Sequence, residues 1–220
     1  MSIRVSFSLL FVGLCIASGG CGRDPVDDLV AKLRDPNVEV RRAAAHALVV
    51  QPVNDERVIA ELTKTVSDKD SEVRYESIEA LGKLGPAAKS SLPLVRLRLE
   101  DGEKNVRLRA AFSIQKIDAA DRSFVPVLTG AMREGDGRTL LEIGALGPNA
   151  AWAAPTLIEL LSHASPKVRT LAARALGGVG PTSNEARVAL GAAQRDSNAG
   201  VRKAATDALA RLQKPAGTAK

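Results

Sequence analysis

Apolar residues recur along this chain in a pattern with a period of about 33 residues. A Val-Arg pair followed by a run of small residues occurs at Val40-Arg41, Val73-Arg74, Val106-Arg107, Val168-Arg169 and Val201-Arg202. A weaker copy begins at Gly135. A fixed period of this size is typical of a repeat array, in which each unit buries its apolar face against its neighbours.

Each unit contains two stretches of helical spacing separated by a polar turn. In the first stretch, apolar residues stand eleven and seven positions before the Val anchor, which places both on one helix face. They are Leu29 and Leu33, Leu62 and Val66, Val95 and Leu99, Phe124 and Leu128, Leu157 and Leu161, and Leu190, with Gln194 as the exception. The second stretch follows Asn37, Asp70, Ser165 or Asn198, whose side chains suit the free N–H groups of a helix start. The pattern predicts six helix pairs.

The fourth unit departs from this pattern. Three units end in Gly-Pro, at Gly85, Gly147 and Gly180, where a helix must stop. Before the fourth unit, the shorter segment 118–121 replaces the Gly-Pro connection. The second helix of the fourth unit begins at 134–137 and lacks a Val-Arg pair. We expect a degenerate unit with a local kink. A calcium-binding turn at Glu134 and Asp136 is the weaker alternative.

The repeated sequence motif is close to Asp-x4-Val-Arg-x2-Ala-Ala-x-Ala-Leu-Gly-x-Leu-Gly, and it is clearest over 68–85 and 196–212. This motif resembles HEAT repeats of the phycobilisome-lyase type. The resemblance covers 25–212 and implies an all-α fold, a right-handed α-solenoid of about six helix pairs whose second helices line the inner curve. It also implies that the Asp before each anchor and the anchor-adjacent Arg tie neighbouring units together through charge-assisted hydrogen bonds. We interpret these ladder residues as structural: Asp35, Arg41, Asp68, Arg74, Asp101, Arg107, Arg169, Asp196 and Arg202.

Binding is expected at positions that vary between copies and face away from the buried stripe. The positions two and six residues after the anchor meet this description and lie on one helix face. They predict an inner surface with an exposed apolar centre at Tyr75, Leu108 and Phe112, flanked by charges. The candidate partner-binding residues are Arg42, His46, Tyr75, Glu79, Leu108, Phe112 and Arg174. The alternative is that some of these side chains pack against the adjacent unit.

Composition argues against most other function classes. The 220 residues carry a formal net charge of +6, spread along the repeats, which does not favour nucleic-acid binding. The two histidines, His46 and His163, are too few for the His-Glu iron site of deoxyhypusine hydroxylase, a similar fold, or for a zinc site. We expect no enzyme activity, no metal and no cofactor. An auxiliary enzyme of the bilin-lyase type, with Tyr75, Phe112 and Trp152 beside a pigment, is the alternative.

The first residues predict export. Arg4 precedes an apolar run over 5–17 that leads to Ser18-Gly19-Gly20-Cys21, and this order resembles the leader of bacterial lipoproteins. The resemblance implies a signal peptide at 1–20 and a lipidated Cys21 in a short linker over 21–24, although Ser18 replaces the usual larger aliphatic residue. A repeat domain over 25–212 and a tail over 213–220 follow. We expect a monomeric scaffold, anchored on the periplasmic side of a bacterial membrane, that binds a protein or peptide of the cell envelope.

Overall fold

The computed structural model describes residues 24–180 and 184–213, and this part of the chain consists of helices and turns. Six helix pairs follow one another: α1 (Pro25–Leu33) and α2 (Val38–Val50), α3 (Glu56–Thr65) and α4 (Ser71–Leu84), α5 (Leu92–Leu97) and α6 (Lys104–Ile117), α7 (Val125–Arg133) and α8 (Gly137–Ala145), α9 (Ala154–Leu160) and α10 (Pro166–Val179), α11 (Asn184–Ala193) and α12 (Ala199–Gln213). Short 3-10 segments occupy Gly85–Ser91, Arg98–Glu100 and Gly147–Ala153. The predicted all-α solenoid of six helix pairs is confirmed.

Side chains cap most of the second helices as their sequence predicts. The Asn37 side chain accepts a hydrogen bond from the Glu39 N–H, and Asp70 accepts from the N–H groups of Glu72 and Val73. Asn198 accepts from the Gly200 N–H in the same way. Ser165 occupies the predicted N-cap position of α10, but its side chain makes no cap hydrogen bond. Pro at the first turn of α10 compensates, since it has no N–H that needs a partner.

The apolar stripe of the first helices forms the core. The side chains of Leu62, Val95, Phe124, Leu157 and Leu190 are fully buried, as the spacing predicts. Leu29 and Leu99 are half-buried, and Gln194, the polar exception, is exposed. The Phe124 ring packs edge-on against Trp152 with 5.3 Å between ring centroids, which supplies bulk to an otherwise alanine-rich and leucine-rich interior.

Second helices stack directly on one another in two groups of three. Helices α2, α4 and α6 pack in one row, and α8, α10 and α12 pack in another. A Cβ atom on Gly177 of α10 would lie 2.8 Å from Cα of Ala208 in α12, so the two backbones approach closely at this point. The row is interrupted between α6 and α8, which do not pack in this way.

The fourth unit is irregular in the way its sequence indicates. Helix α8 has 9 residues, whereas the other second helices have 13 to 15. Asp136 caps it by accepting a hydrogen bond from the Thr139 N–H. The Nζ of Lys104 lies 2.7 Å from Glu134 and 3.7 Å from Asp136, so an ammonium group neutralises the two carboxylates weighed as calcium ligands.

Candidate functional site

Arginine–aspartate pairs join consecutive units along the array. Arg41 donates hydrogen bonds to the Asp68 carboxylate from Nε at 2.8 Å and from Nη2 at 3.1 Å. Arg74 donates the same two hydrogen bonds to Asp101, at 2.9 and 2.8 Å. Arg169 holds Asp196 with two contacts of 2.8 Å. These bidentate contacts are the strong form of charge-assisted hydrogen bond. They lie at unit boundaries and fix the spacing of the array.

The same aspartates also order the turns that precede the second helices. Asp35, Asp68, Asp101 and Asp196 each accept a hydrogen bond from the N–H two residues later. The Arg169 guanidinium, through its hydrogen bonds, and the Asn198 N–H hold the pKa of Asp196 below its usual value. The ladder residues therefore have partners within the fold itself, which is the expected arrangement for a structural role.

The ladder is interrupted at the fourth unit and resumes with Arg169 and Asp196. The Nη1 of Arg107 donates to the carbonyl oxygens of Asp101 and Gly102, within its own unit. At the position where the next unit would supply an aspartate, the sequence has Gly130. Arg202, in the last unit, also donates to two carbonyl oxygens, those of Asp196 and Ser197.

A polar cluster lies where the row of second helices is interrupted. The Tyr75 hydroxyl accepts hydrogen bonds from Nη2 of Arg109 at 2.6 Å and from Nη2 of Arg138 at 3.0 Å. Arg109 also lies over the Tyr75 ring, with its Cζ 4.9 Å from the ring centroid. Glu79 and Glu142 lie 3.5 and 3.7 Å from the same guanidinium. We call Tyr75, Glu79, Arg109, Arg138 and Glu142 the Tyr75 cluster.

A surface hollow of about 390 Å³ lies beside this cluster, between the first turns of α4 and α6. Its lining residues are Ser71, Glu72, Tyr75, Glu76, Glu103, Asn105, Val106 and Arg138. Three of these are glutamates and one is an arginine. Glu76 lies 3.4 Å from Nδ1 of His46, which carries charge only when protonated. The hollow is therefore locally acidic in a chain whose net charge is +6.

The expected exposed apolar centre is wrong at Phe112. That side chain is only 3% exposed and belongs to the core, because α6 turns it toward the space between α6 and α8 rather than toward solvent. Leu108 and Tyr75 are half-buried and pack against the core. The inner surface near the centre of the array is consequently polar, and its aromatic group, Tyr75, is held by arginines.

The remaining candidate residues lie on both sides of the interruption in the row of second helices. Arg42 is engaged by Asp70, with Nη2 to Oδ2 at 2.6 Å, and also by Glu39. His46 is exposed beside Glu76, and Glu79 belongs to the Tyr75 cluster. Arg174 is exposed on α10. Cys21 lies outside the described residues.

Sequence reasoning missed Arg109 and Arg138, which dominate the geometry at the centre. Both stand three positions after the anchor, where the other units have Ala43, Glu76, Leu171 and Ala204. This shared position was the signal available in the sequence, although the burial of Arg109, which is only 7% exposed, was not. Within the described residues, no group of three or more His, Cys, Asp or Glu side chains is placed to hold a metal ion. No helix among them is long and apolar enough to cross a membrane.

The structure is that of an α-solenoid repeat protein. Its helix pairs stack in register and are joined by the Arg–Asp ladder, and the surface residues of the second helices vary from unit to unit. A family model described as HEAT repeats matches residues 26–115 and 154–220. The chain therefore belongs to the HEAT-repeat family. The unmatched stretch contains the irregular fourth unit.

Several solved structures share the fold. The complex of CpcE and CpcF of phycocyanin lyase from Nostoc sp. PCC7120 is 21% identical, with a TM-score of 0.57 over 89% of this chain and 79% of that chain. A designed armadillo repeat protein in complex with the peptide (KR)4 is 19% identical, with a TM-score of 0.55 over 86% of this chain and 100% of that one. An engineered protein of the Northeast Structural Genomics Consortium is 20% identical, with a TM-score of 0.56 over 86% and 97%. No curated protein matches the chain.

Proposed function

We propose that this protein is a scaffold that binds another protein, or a peptide segment, along its second helices. The observation that carries the proposal is the hollow of about 390 Å³ between α4 and α6, on a repeat fold suited to protein–protein interaction. Tyr75, Glu76 and Glu103 in its lining differ from their counterparts in the other repeats, whereas the ladder residues recur. Variation at such positions, on a constant framework, is how repeat arrays present a binding surface.

The charge of the hollow favours a basic partner segment. Glu72, Glu76 and Glu103 converge on it, and Arg138 is the one basic residue of the lining. A lysine or arginine side chain entering the hollow would meet these carboxylates and the Tyr75 side chain, which suits a cation. The designed armadillo relative in complex with (KR)4 supports the proposal by analogy of fold.

Peptide titration tests the proposal. We expect a labelled octapeptide of alternating Lys and Arg to bind in fluorescence anisotropy, an alternating Glu-Asp octapeptide not to bind, and binding to weaken with salt. The variant Glu72→Gln/Glu76→Gln/Glu103→Gln should weaken binding at least about 10-fold, as loss of several charge contacts does.

The matched control removes three exposed carboxylates from the first-helix side. Glu56→Gln/Glu100→Gln/Glu185→Gln changes the net charge equally but leaves the hollow intact. If both triple variants weaken binding equally, attraction is nonspecific and the hollow is not the site. If neither peptide binds at low salt, the choice of a basic partner is wrong.

The cellular place of the scaffold is proposed from the leader alone. We propose that the chain is exported and that a lipid on Cys21 anchors it to a bacterial membrane, which would bring it to partners in the cell envelope. Support comes from the order of Arg4, the apolar run and Gly19-Gly20-Cys21.

An auxiliary enzyme that handles a bilin is the second candidate. Its support is the fold shared with the phycocyanin lyase complex from Nostoc sp. PCC7120. Incubation of the purified protein with phycocyanobilin decides between the candidates. A bilin-handling protein should shift and sharpen the visible absorption of the pigment, whereas a peptide scaffold should leave the spectrum unchanged.

A further inference from the structure

The lack of close packing between α6 and α8 can be traced to the residues at two equivalent positions of the repeats. At all four close contacts between second helices, the residue seven positions after the second anchor is small, and at three of them it faces a glycine nine positions after the first anchor. The glycine pairs are Gly82 with Ser113, Gly144 with Ala175, and Gly177 with Ala208. Between α2 and α4 the facing residue is Val49, opposite Ala80. Between α6 and α8 the same two positions hold Gln115 and Glu142. We call this interface the seam.

Bulk at these two positions prevents close packing. The distance between packed helices depends on the side chains at the contact, and each close contact here has a small residue on at least one side. Gln115 is 4% exposed, and its amide Nε2 reaches the Asn149 carbonyl oxygen at 3.5 Å, the outer limit of a hydrogen bond. Its Oε1 makes no hydrogen bond to the described protein atoms. The seam therefore has polar side chains at the two positions where other contacts have at least one small residue, and the hydrogen bonds of Gln115 are incompletely satisfied.

The Tyr75 cluster bridges the seam from the inner side. Arg138 of α8 reaches Tyr75 of α4, and Arg109 of α6 approaches Glu142 of α8 at 3.7 Å. The Nε of Arg109 is buried without a hydrogen bond to the described protein atoms, and its Glu79 contact is 3.5 Å. Polar contacts of this kind exchange with water at small cost once they are exposed, whereas an apolar interface resists opening.

The first-helix side of the molecule is continuous across the same boundary. Helix α7 packs against α6, α8 and α9, so the chain remains connected there by side-chain packing. Contacts between the second helices are weak at this boundary, whereas the first helices remain packed. This is the arrangement of a hinge, in which small shifts of packed helices accompany a change in the angle between the two parts.

We propose that the protein bends at the seam as two arms, α1 to α6 and α8 to α12, with α7 as the pivot and the Tyr75 cluster as the contact that holds the closed angle. Opening breaks the Tyr75–Arg138 and Arg109–Glu142 contacts and widens the inner face. Because the hollow between α4 and α6 includes Arg138, opening also removes one wall of the hollow. The bending itself does not depend on the proposed peptide binding.

Spin-label distance measurements on the full chain test the hinge. Cys15→Ser and Cys21→Ser remove the natural thiols, and labels are attached after Val50→Cys and Val188→Cys, at side chains 70% and 66% exposed on α2 and α11. Two control pairs lie within single arms: Val50 with Leu97, and Leu141 with Val188. We expect a distance distribution at least twice as broad across the seam as within either arm.

Two sets of substitutions move the hinge in opposite directions. Tyr75→Phe/Arg138→Gln should broaden the distribution across the seam and leave both control pairs unchanged. Gln115→Gly/Glu142→Ala restores the residue types of the close contacts and should narrow it. Arg174→Gln on α10 makes the same charge change as Arg138→Gln away from the seam and should have no effect.

Salt supplies a test that needs no substitution in the seam. Raising the ionic strength from about 0.05 M to about 1 M screens the ion pairs of the cluster and should broaden the distribution across the seam in the otherwise native chain. A distribution across the seam as narrow as those within the arms, and unmoved by salt and by Tyr75→Phe/Arg138→Gln, would overturn the hinge. Equal broadening of all three pairs would also overturn it, since it would show uniform looseness.

Discussion

The Nη2 of Arg138 donates a hydrogen bond of 3.0 Å to the hydroxyl of Tyr75, which lies two repeats earlier in the chain. In a regular repeat array, each unit contacts only its immediate neighbours. This contact joins the second unit to the fourth and passes over the seam between α6 and α8. It shows that the interruption of the helix row is bridged by side chains rather than closed by backbone packing.

The ladder predicts unequal costs for the same substitution in successive repeats. Arg74→Met leaves Asp101, whose side chain is 3% exposed, without its bidentate partner and should lower the free energy of unfolding by about 3 kcal/mol. Arg107→Met removes hydrogen bonds to two carbonyl oxygens and should cost about 1 kcal/mol. Urea denaturation followed by circular dichroism measures both. Equal losses would contradict a structural role specific to the Arg–Asp pairs.

Burial of Phe112 predicts a large loss of stability on truncation. Phe112→Ala removes a side chain that is 3% exposed and should lower the free energy of unfolding by about 3 to 5 kcal/mol. Val50→Ala, at a site 70% exposed, should change it by less than about 0.5 kcal/mol. Melting curves compare the two variants. If the Phe112→Ala variant keeps the native stability, the Phe112 side chain is exposed to solvent and not part of the core.

The Arg42–Asp70 pair predicts a pH-dependent part of the stability. The Arg42 guanidinium, by hydrogen bonding, lowers the pKa of Asp70 from 3.8 to about 2. A carboxyl whose pKa is lower in the folded state stabilises the fold above its unfolded pKa, and this contribution disappears as pH falls through the folded pKa. We expect it to be present at neutral pH and lost between about pH 4 and pH 2.

Asp70→Asn isolates this contribution, because asparagine caps a helix as well as aspartate does. The variant should be less stable at neutral pH by about 1 kcal/mol and should converge with the native protein near pH 2. Urea midpoints across the pH range measure the difference. Asp207→Asn, at an exposed carboxyl on α12, is the control. A gap between native and Asp70→Asn that stays constant down to pH 2 would contradict the pairing.

Lipid anchoring predicts a difference between the two cysteines. Native protein expressed with export should partition into the detergent phase, and Cys21→Ala should move it to the aqueous phase or leave the leader uncleaved. Cys15→Ala, within the apolar run, should partition as the native protein does. Unchanged detergent-phase partitioning of Cys21→Ala would refute the anchor.

Local spacing was enough to predict the six helix pairs, the buried stripe and the N-caps at Asn37, Asp70 and Asn198. These features depend on residues within about one helix turn of each other, so a single chain records them directly. The ladder pairs, such as Arg41 with Asp68, were expected from the resemblance to HEAT repeats, and their residues recur with the period of the array.

Only the tertiary structure decided the centre of the molecule. The same offset from the anchor is exposed at His46 and buried at Phe112, because burial there depends on how far α8 stands from α6. We attribute that separation to Gln115 and Glu142, which are 27 positions apart and which occupy the two positions where the other contacts have at least one small residue. The Tyr75 cluster needs three helices from three repeats to be placed together. Its members are therefore ordinary surface types in the sequence and become a bridge only once the repeats are stacked.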